Sequence, residues 1–162
     1  AFEPNKKYRY SNTNYLLIGA ILDQTLGYSH HTYIRDELLI PLGLSDTYNT
    51  QAEVNMEELM SGYLIGWEAD VKDWEYPLPG GSMIATAEDV SVFLRALIDG
   101  TLLSPEEQAI YTSVYPYEHT GWLPGYTSIA RYHPDIDAVV VQFINTSGKE
   151  IYWLELKRLY KT

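Results

Sequence analysis

No cysteine occurs among the 162 residues, which excludes disulfides, thiolate zinc sites and a cysteine nucleophile while leaving the redox compartment open. Positive charge is scarce. Eleven Lys and Arg stand against 22 Asp and Glu, a formal charge of -11. Such a chain repels a phosphate backbone and offers no basic stripe, so nucleic acid is not expected as a partner. Long apolar runs are missing too: none approaches the roughly 20 residues a bilayer-spanning helix needs, so no membrane span is expected. There is no internal repeat, low-complexity tract or linker. The opening Ala1-Phe2-Glu3-Pro4 has neither an initiator Met nor the form of a signal peptide, and reads as a chain whose beginning lies elsewhere. Metal-ligand patterns are poor. His30 and His31 are adjacent on a helix and point in different directions, the mark of a solvated helix end. Glu53, Glu57 and Glu58 read as a solvated acidic face. No cofactor or metal is expected.

What is present suits one domain over 1–162: 46% hydrophobic residues at this length give a real core but not two ordinary domains. Aromatic residues make up 14%, including 15 Tyr; core packing is their first explanation, a sugar-binding face the weaker one.

Leu16, Leu17, Ile21 and Leu22 fall at helical spacing, predicting a helix over 13–26 with Asn12 or Thr13 as N-cap and Gly27 as stop. Ser29 can cap a second helix to about Leu39, broken by Pro41-Leu42-Gly43-Leu44. Residues 45–79 lack periodicity, carry Tyr63, Trp67, Trp74 and Tyr76, allow a helical turn at Glu57–Met60, and read as a loop-rich insertion ending in the Pro79-Gly80-Gly81 turn. Thr86-Ala87-Glu88-Asp89 is a capping-type start for a helix over 87–99, with Val90, Phe93, Leu94, Leu97 and Ile98 as its stripe. Ser104-Pro105-Glu106-Glu107 opens a short helix. Thr127–Tyr132 and Ala138–Ile144 read as an antiparallel hairpin around His133-Pro134-Asp135-Ile136-Asp137, where His133 reads as turn. The continuous apolar run Ala138–Val141 suggests a central strand covered on both faces. Glu150–Tyr160 reads as a closing helix with cations near its C-terminal end.

Three stretches could carry chemistry. Tyr10 and Asn12, two apart before a helix, project a phenol and a carboxamide to the same side. The second stretch runs from Pro79-Gly80-Gly81-Ser82 through the capped helix to Gly100. The third, His119-Thr120-Gly121-Trp122-Leu123-Pro124-Gly125-Tyr126, leads into the hairpin. Singly, each has a structural explanation as turn, N-cap or exposed strand. Together and in this order they resemble the serine β-lactamase-like superfamily, in the branch of class C β-lactamases, D-alanyl-D-alanine carboxypeptidases, D-amino-acid peptidases and esterases. Pro41-Leu42-Gly43-Leu44 with Asp46-Thr47 is similar to the family's Pro-Leu-Gly-(Met/Leu)-x-x-Thr segment, and Thr86-Ala87-Glu88-Asp89 to its Ser-Thr-Ala-Glu-Asp-Leu helix start.

The resemblance implies an α+β, β-lactamase/transpeptidase-like fold, here partial: antiparallel strands with a C-terminal helix on them, plus helices of the helical lobe. It also implies acyl transfer through a serine nucleophile, with a peptide or small-molecule ester or lactam as substrate, and location in the cell envelope or outside the cell. Tyr10 matches the family's catalytic tyrosine; a phenol with ordinary pKa near 10 needs a neighbouring cation to act as a base. Asn12 matches the asparagine that donates to the substrate amide carbonyl. His119 takes the place of the third-motif lysine, Thr120 the carboxylate-binding hydroxyl, Gly121 the small residue along which substrate lies, and the N–H of Trp122 one oxyanion donor. His119 in place of lysine points toward peptidase or esterase relatives.

The family's first motif, Ser-x-x-Lys, is absent from this sequence: none of the ten serines has a lysine three residues on. Ser128 comes nearest, with Arg131, and arginine does not release its proton to act as a base. The expectation is the C-terminal portion of a serine hydrolase, silent alone and prone to self-associate through an uncovered sheet edge. The competing expectation is a peptide- or glycan-binding module on the same fold.

Overall fold

The computed structural model describes residues 2–3, 5–76 and 82–149. The Pro79-Gly80-Gly81 turn and the Glu150–Tyr160 helix lie outside the described residues. Helix α1, Asn12–Leu26, begins one residue earlier than its periodicity implies, with Ser11 in the extended N-cap conformation. Gly27 at φ 76° ends it, a left-handed position that only glycine adopts cheaply.

The second helical stretch starts as α2, His30–Tyr33, capped by Ser29, whose hydroxyl accepts from the His31 N–H. It continues through a π-helical segment, Ile34–Leu39, into α3, Ile40–Leu42. Pro41 therefore does not end it; the stretch closes at Gly43, whose φ of 69° makes it the C-cap of α3. His30 overturns its reading as a solvated helix end. It is buried, and both its backbone N–H (2.5 Å) and its Nδ1 (2.7 Å) meet Asp23 Oδ1 at the end of α1. The Gly27 reversal folds α2 back so that one carboxylate serves helix start and ring together.

Residues 45–76 are loop-rich, as their composition implies. They hold two short strands, β1 (Thr47–Tyr48) and β2 (Tyr63–Leu64), and a 3-10 turn over Gln51–Glu53; Glu57–Met60 forms a plain turn rather than helix. Strand β1 pairs antiparallel with β3 (Ile84–Ala85), and β2 pairs parallel with β7 (Thr146–Ser147). The Tyr126 phenol donates to the Met60 carbonyl at 2.7 Å. Burial first, then nearby Asp70, pushes its pKa up to about 12, so it stays a neutral donor.

Helix α4, Ala87–Ile98, has Thr86 as its cap, the hydroxyl accepting from Asp89 N–H at 3.1 Å. Asp89 is buried and accepts from the Asp46 N–H (3.0 Å) and the Thr47 hydroxyl (2.7 Å), tying the helix start to the Pro-Leu-Gly segment. Helix α5, Pro105–Val114, opens with a reciprocal Ser104–Glu107 capping box.

Strands β4 (Glu118–Leu123), β5 (Tyr126–His133) and β6 (Ala138–Ile144) form an antiparallel sheet in that order. The centre is β5, not β6, among the described residues, and β6 is half-buried. Among the described residues its apolar run packs beside α4. His133 is the last residue of β5, paired with Ala138, rather than part of the turn. Arg95 of α4 reaches the hairpin tip, bonding Asp137 Oδ1 at 2.7 Å while lying 5.3 Å from the Tyr132 ring centre. Leu94, Ala96 and Leu97 of α4 and Ile129 of β5 are buried, and with Leu39, Leu44 and Val71 they make the apolar core.

Candidate active site

Because Ser11 takes the cap, Asn12 enters the first turn of α1 and its side chain is available to its neighbour. The Tyr10 hydroxyl donates to Asn12 Oδ1 at 2.9 Å. That contact turns the amide nitrogen, with its two donors, away from the phenol. Burial, then Tyr15 and Tyr8, holds the Tyr10 phenol above its ordinary pKa. In this chain it is a neutral donor, and service as a base requires a cation brought beside it.

The second element is β4. Register pairs His119 with Ala130, Thr120 with Ile129, Gly121 with Ser128 and Trp122 with Thr127. Paired residues share a face, so His119 and Gly121 lie on one side and Thr120 and Trp122 on the other. The Tyr132 N–H bonds the Tyr117 carbonyl at 3.0 Å, which makes 117 and 132 a hydrogen-bonded pair. Alternation along the ladder then turns the backbone N–H of Thr120 and Trp122 away from β5. Among the described residues no strand pairs with that side of β4.

Gly121 has a reason of its own. A Cβ there would run into the Ser128 hydroxyl across the ladder, so the absence of a side chain admits Ser128 as well as any substrate. Ser128 is also no substitute for the missing nucleophile: on a strand, residues three apart face opposite sides, and Arg131 is engaged with Glu118 at 3.2 Å.

Tyr115, which the sequence reading did not single out, joins the two motifs. It is the C-cap of α5, and its hydroxyl lies 2.5 Å from His119 Nδ1, the rings 5.8 Å apart. Burial and then the charges of Tyr15, Tyr111, Tyr8 and Tyr10 raise the Tyr115 pKa, placing the start of α1 within electrostatic reach. Tyr10 and Tyr15 are themselves 5.8 Å apart, and Tyr111 stacks on Tyr117 at 5.3 Å. Tyr10 bonds Asn12, Tyr115 bonds His119, and the Tyr10 phenol lies within electrostatic reach of Tyr115. Thr120 and Trp122 lie on the opposite face of β4, with their backbone N–H groups turned away from β5. Burial holds His119 below its ordinary pKa, so it is neutral at pH 7. The signal that could have found Tyr115 is its spacing, four residues after Tyr111 on a helix and four before His119. A separate groove between α4 and β6, lined by Leu42, Val92, Arg95 and Val139, includes none of these residues.

The beta-lactamase family model matches residues 1–159. A penicillin-binding protein of Bacillus subtilis (strain 168) is 34% identical over 80 residues, 48% of this chain and 17% of that protein. The structure of a D-amino acid amidase from Ochrobactrum anthropi SV3, complexed with D-phenylalanine, superposes with a TM-score of 0.83 at 26% identity, covering 99% of this chain and 63% of that one. A penicillin-binding protein from Bacillus halodurans shares the fold, with a TM-score of 0.80 at 17% identity over 98% of this chain and 58% of the other. The chain therefore spans less than two thirds of each of these relatives.

Proposed function

This chain belongs to the beta-lactamase family, and on that premise we propose that it supplies part of an acyl-transfer site whose serine and lysine come from a segment outside the sequence given. The observation supporting the proposal is the Tyr115–His119 contact, with Tyr10, itself bonded to Asn12, within electrostatic reach of Tyr115. In the assembled site an incoming lysine ammonium stabilises Tyr10 as its phenolate, the phenol proton passing to solvent, and the phenolate then takes the serine proton and returns it to the leaving group. Asn12 donates its amide N–H to the substrate carbonyl. The Trp122 N–H, directed away from β5, donates to the oxyanion, and the serine's own N–H is its partner. His119 and the Thr120 hydroxyl hold the substrate carboxylate or carbonyl, and Gly121 keeps the strand edge low.

The substrate class follows from similarity to the D-amino acid amidase and the penicillin-binding proteins: an amide, ester or lactam of a D-amino acid or short peptide. Replacement of the third-motif lysine by a neutral His119 favours the amide and ester side of that range. Location in the cell envelope or outside the cell rests on the same likeness. Exposed Leu16, Leu17, Ile18, Ile21 and Leu22 on α1, with the side of β4 turned away from β5, form the surface against which the nucleophile-bearing segment docks, or another copy when that segment is absent.

A labelled fluorophosphonate tests the reading. The expected result is no label on this chain alone, and label on the serine of an added Ser-x-x-Lys polypeptide that falls when Tyr10 becomes Phe. Label on this chain alone, or label indifferent to Tyr10→Phe, would overturn it. The second reading, a binding module without chemistry, is favoured by the missing Ser-x-x-Lys; it predicts peptide binding by the chain alone that calorimetry detects.

A further inference from the structure

We infer that Tyr115 is the positioning residue of this site, donating its hydroxyl proton to His119 Nδ1 and thereby fixing the imidazole as the tautomer with its proton on Nε2. The contact is 2.5 Å between the phenol oxygen and Nδ1. Two neutral arrangements satisfy it: phenol donating to a bare Nδ1, or Nδ1–H donating to the phenol oxygen. A phenol is the stronger proton donor of the two groups and an imidazole nitrogen the stronger acceptor, so the first arrangement prevails.

Both side chains remain partly exposed, yet their mutual contact and partial burial favour the neutral form of each. Burial holds His119 below its ordinary value, while burial and the neighbouring phenols of Tyr15, Tyr111, Tyr8 and Tyr10 hold Tyr115 above its own. Among the described residues the groups around the pair come from three elements: Tyr8, Tyr10 and Tyr15 from the start of α1 and the chain before it, Tyr111 from α5, and Ala130 across the ladder from β5. None of these is a carboxylate that would draw a second proton onto the ring. Glu118, next along β4, falls on the other face and is paired with Arg131.

With Nδ1 occupied, His119 presents Nε2–H to the site as a single directed donor. In the position where the family resemblance puts an ammonium, this chain offers a neutral N–H, which binds a carbonyl or carboxylate without carrying a fixed charge. Rotation about its χ2 would break the Tyr115 bond, which biases the ring toward this orientation. The neutral donor therefore points where the strand puts it. This role rests on the proposed acyl-transfer site, but its test does not require the reaction to occur.

Nitrogen-15 NMR of the four histidines, recorded on the whole chain at pH 7.5, reads the tautomer directly. The expected spectrum assigns His119 a pyridine-like Nδ1 and a protonated Nε2. In Tyr115→Phe the ratio of the two tautomers should fall roughly fivefold, the bias one neutral hydrogen bond supplies, and the His119 pKa should rise toward its ordinary value because the neutral form has lost a partner. Tyr111→Phe removes a phenol of the same cluster that does not bond the ring, and should leave the tautomer ratio alone. A protonated Nδ1 in the unmodified chain overturns the inference even if no variant folds. So does a ratio unchanged by Tyr115→Phe. Failure of fluorophosphonate labelling with an intact Nε2–H signature would instead count against the acyl-transfer reading and leave Tyr115 in its role.

Discussion

Gly121 and Ser128 face each other across β4 and β5, and the serine hydroxyl occupies the space a Cβ at 121 would need. Gly121→Ala should therefore cost about 1–3 kcal/mol by overpacking, read as a lowered urea midpoint. Adding Ser128→Ala removes the hydroxyl and leaves only the Ser128 Cβ position, 3.6 Å from the new methyl, an ordinary contact. The double variant should recover most of the loss; a double variant no more stable than Gly121→Ala would show the steric account wrong. At this scale the sequence displayed the polar residues of the site, because Tyr10, Asn12 and His119 announce themselves by type and order. It did not display what holds them. The contact between Tyr115 and His119 needs α5 to end where β4 begins, and the burial of His30 needs Asp23 brought back by the turn at Gly27. Both are consequences of chain reversal, to which local periodicity is blind.

Among the elements, α1 has the least cover for its composition. Its Leu17, Ile18 and Ile21 are each half exposed or more, and apolar residues lie around most of its circumference, as on a helix made to be enclosed. Covering each of these side chains is worth about 1 kcal/mol, enough together to drive association at ordinary protein concentrations. Sedimentation of the chain should reveal oligomers that dissociate in a Leu17→Glu, Ile21→Lys double variant with unchanged helix content by circular dichroism. A monomer in the unmodified chain would contradict the docking role of α1. The helices were legible where capping chemistry is local: Thr86 and Ser104 each bond the backbone they were expected to bond. They were less legible where a neighbour decides. Ser11 rather than Asn12 became the cap of α1 since the Asn12 side chain is drawn to Tyr10. Strand order escaped the sequence for a related reason: four consecutive apolar residues in β6 signal burial, and among the described residues a helix, α4, packs on a strand that lies at one end of the order β4-β5-β6.

For the molecule as a whole, acidity is the variable that its charge makes most telling. Asp70, Asp99, Glu107 and Asp137 are all held below their ordinary pKa values, respectively by the Ser61 hydroxyl, the Thr101 hydroxyl, the Ser104 N–H and the Arg95 guanidinium as leading causes. Asp23 joins them through the His30 N–H. A lowered folded value means that the unfolded chain takes up protons first as pH falls. These contacts therefore stabilise fully above the unfolded values of about 3.9 to 4.3 and are lost progressively below them. Thermal unfolding should be nearly level from pH 7 to 5 in this respect and fall steeply from pH 4 to 2.5, less steeply in Asp137→Asn; a midpoint that rises on acidification would refute the assignment.

This chain spans 63% and 58% of two matched structures, and the acyl transfer proposed for it takes its serine and lysine from outside the sequence given. The most direct measurement is fluorophosphonate labelling followed by mass mapping, with the chain alone and with a polypeptide that carries Ser-x-x-Lys. The account predicts an unlabelled chain, and in the mixture a single adduct on the added serine that weakens when Tyr10→Phe is used. An adduct on any of this chain's own serines would contradict it.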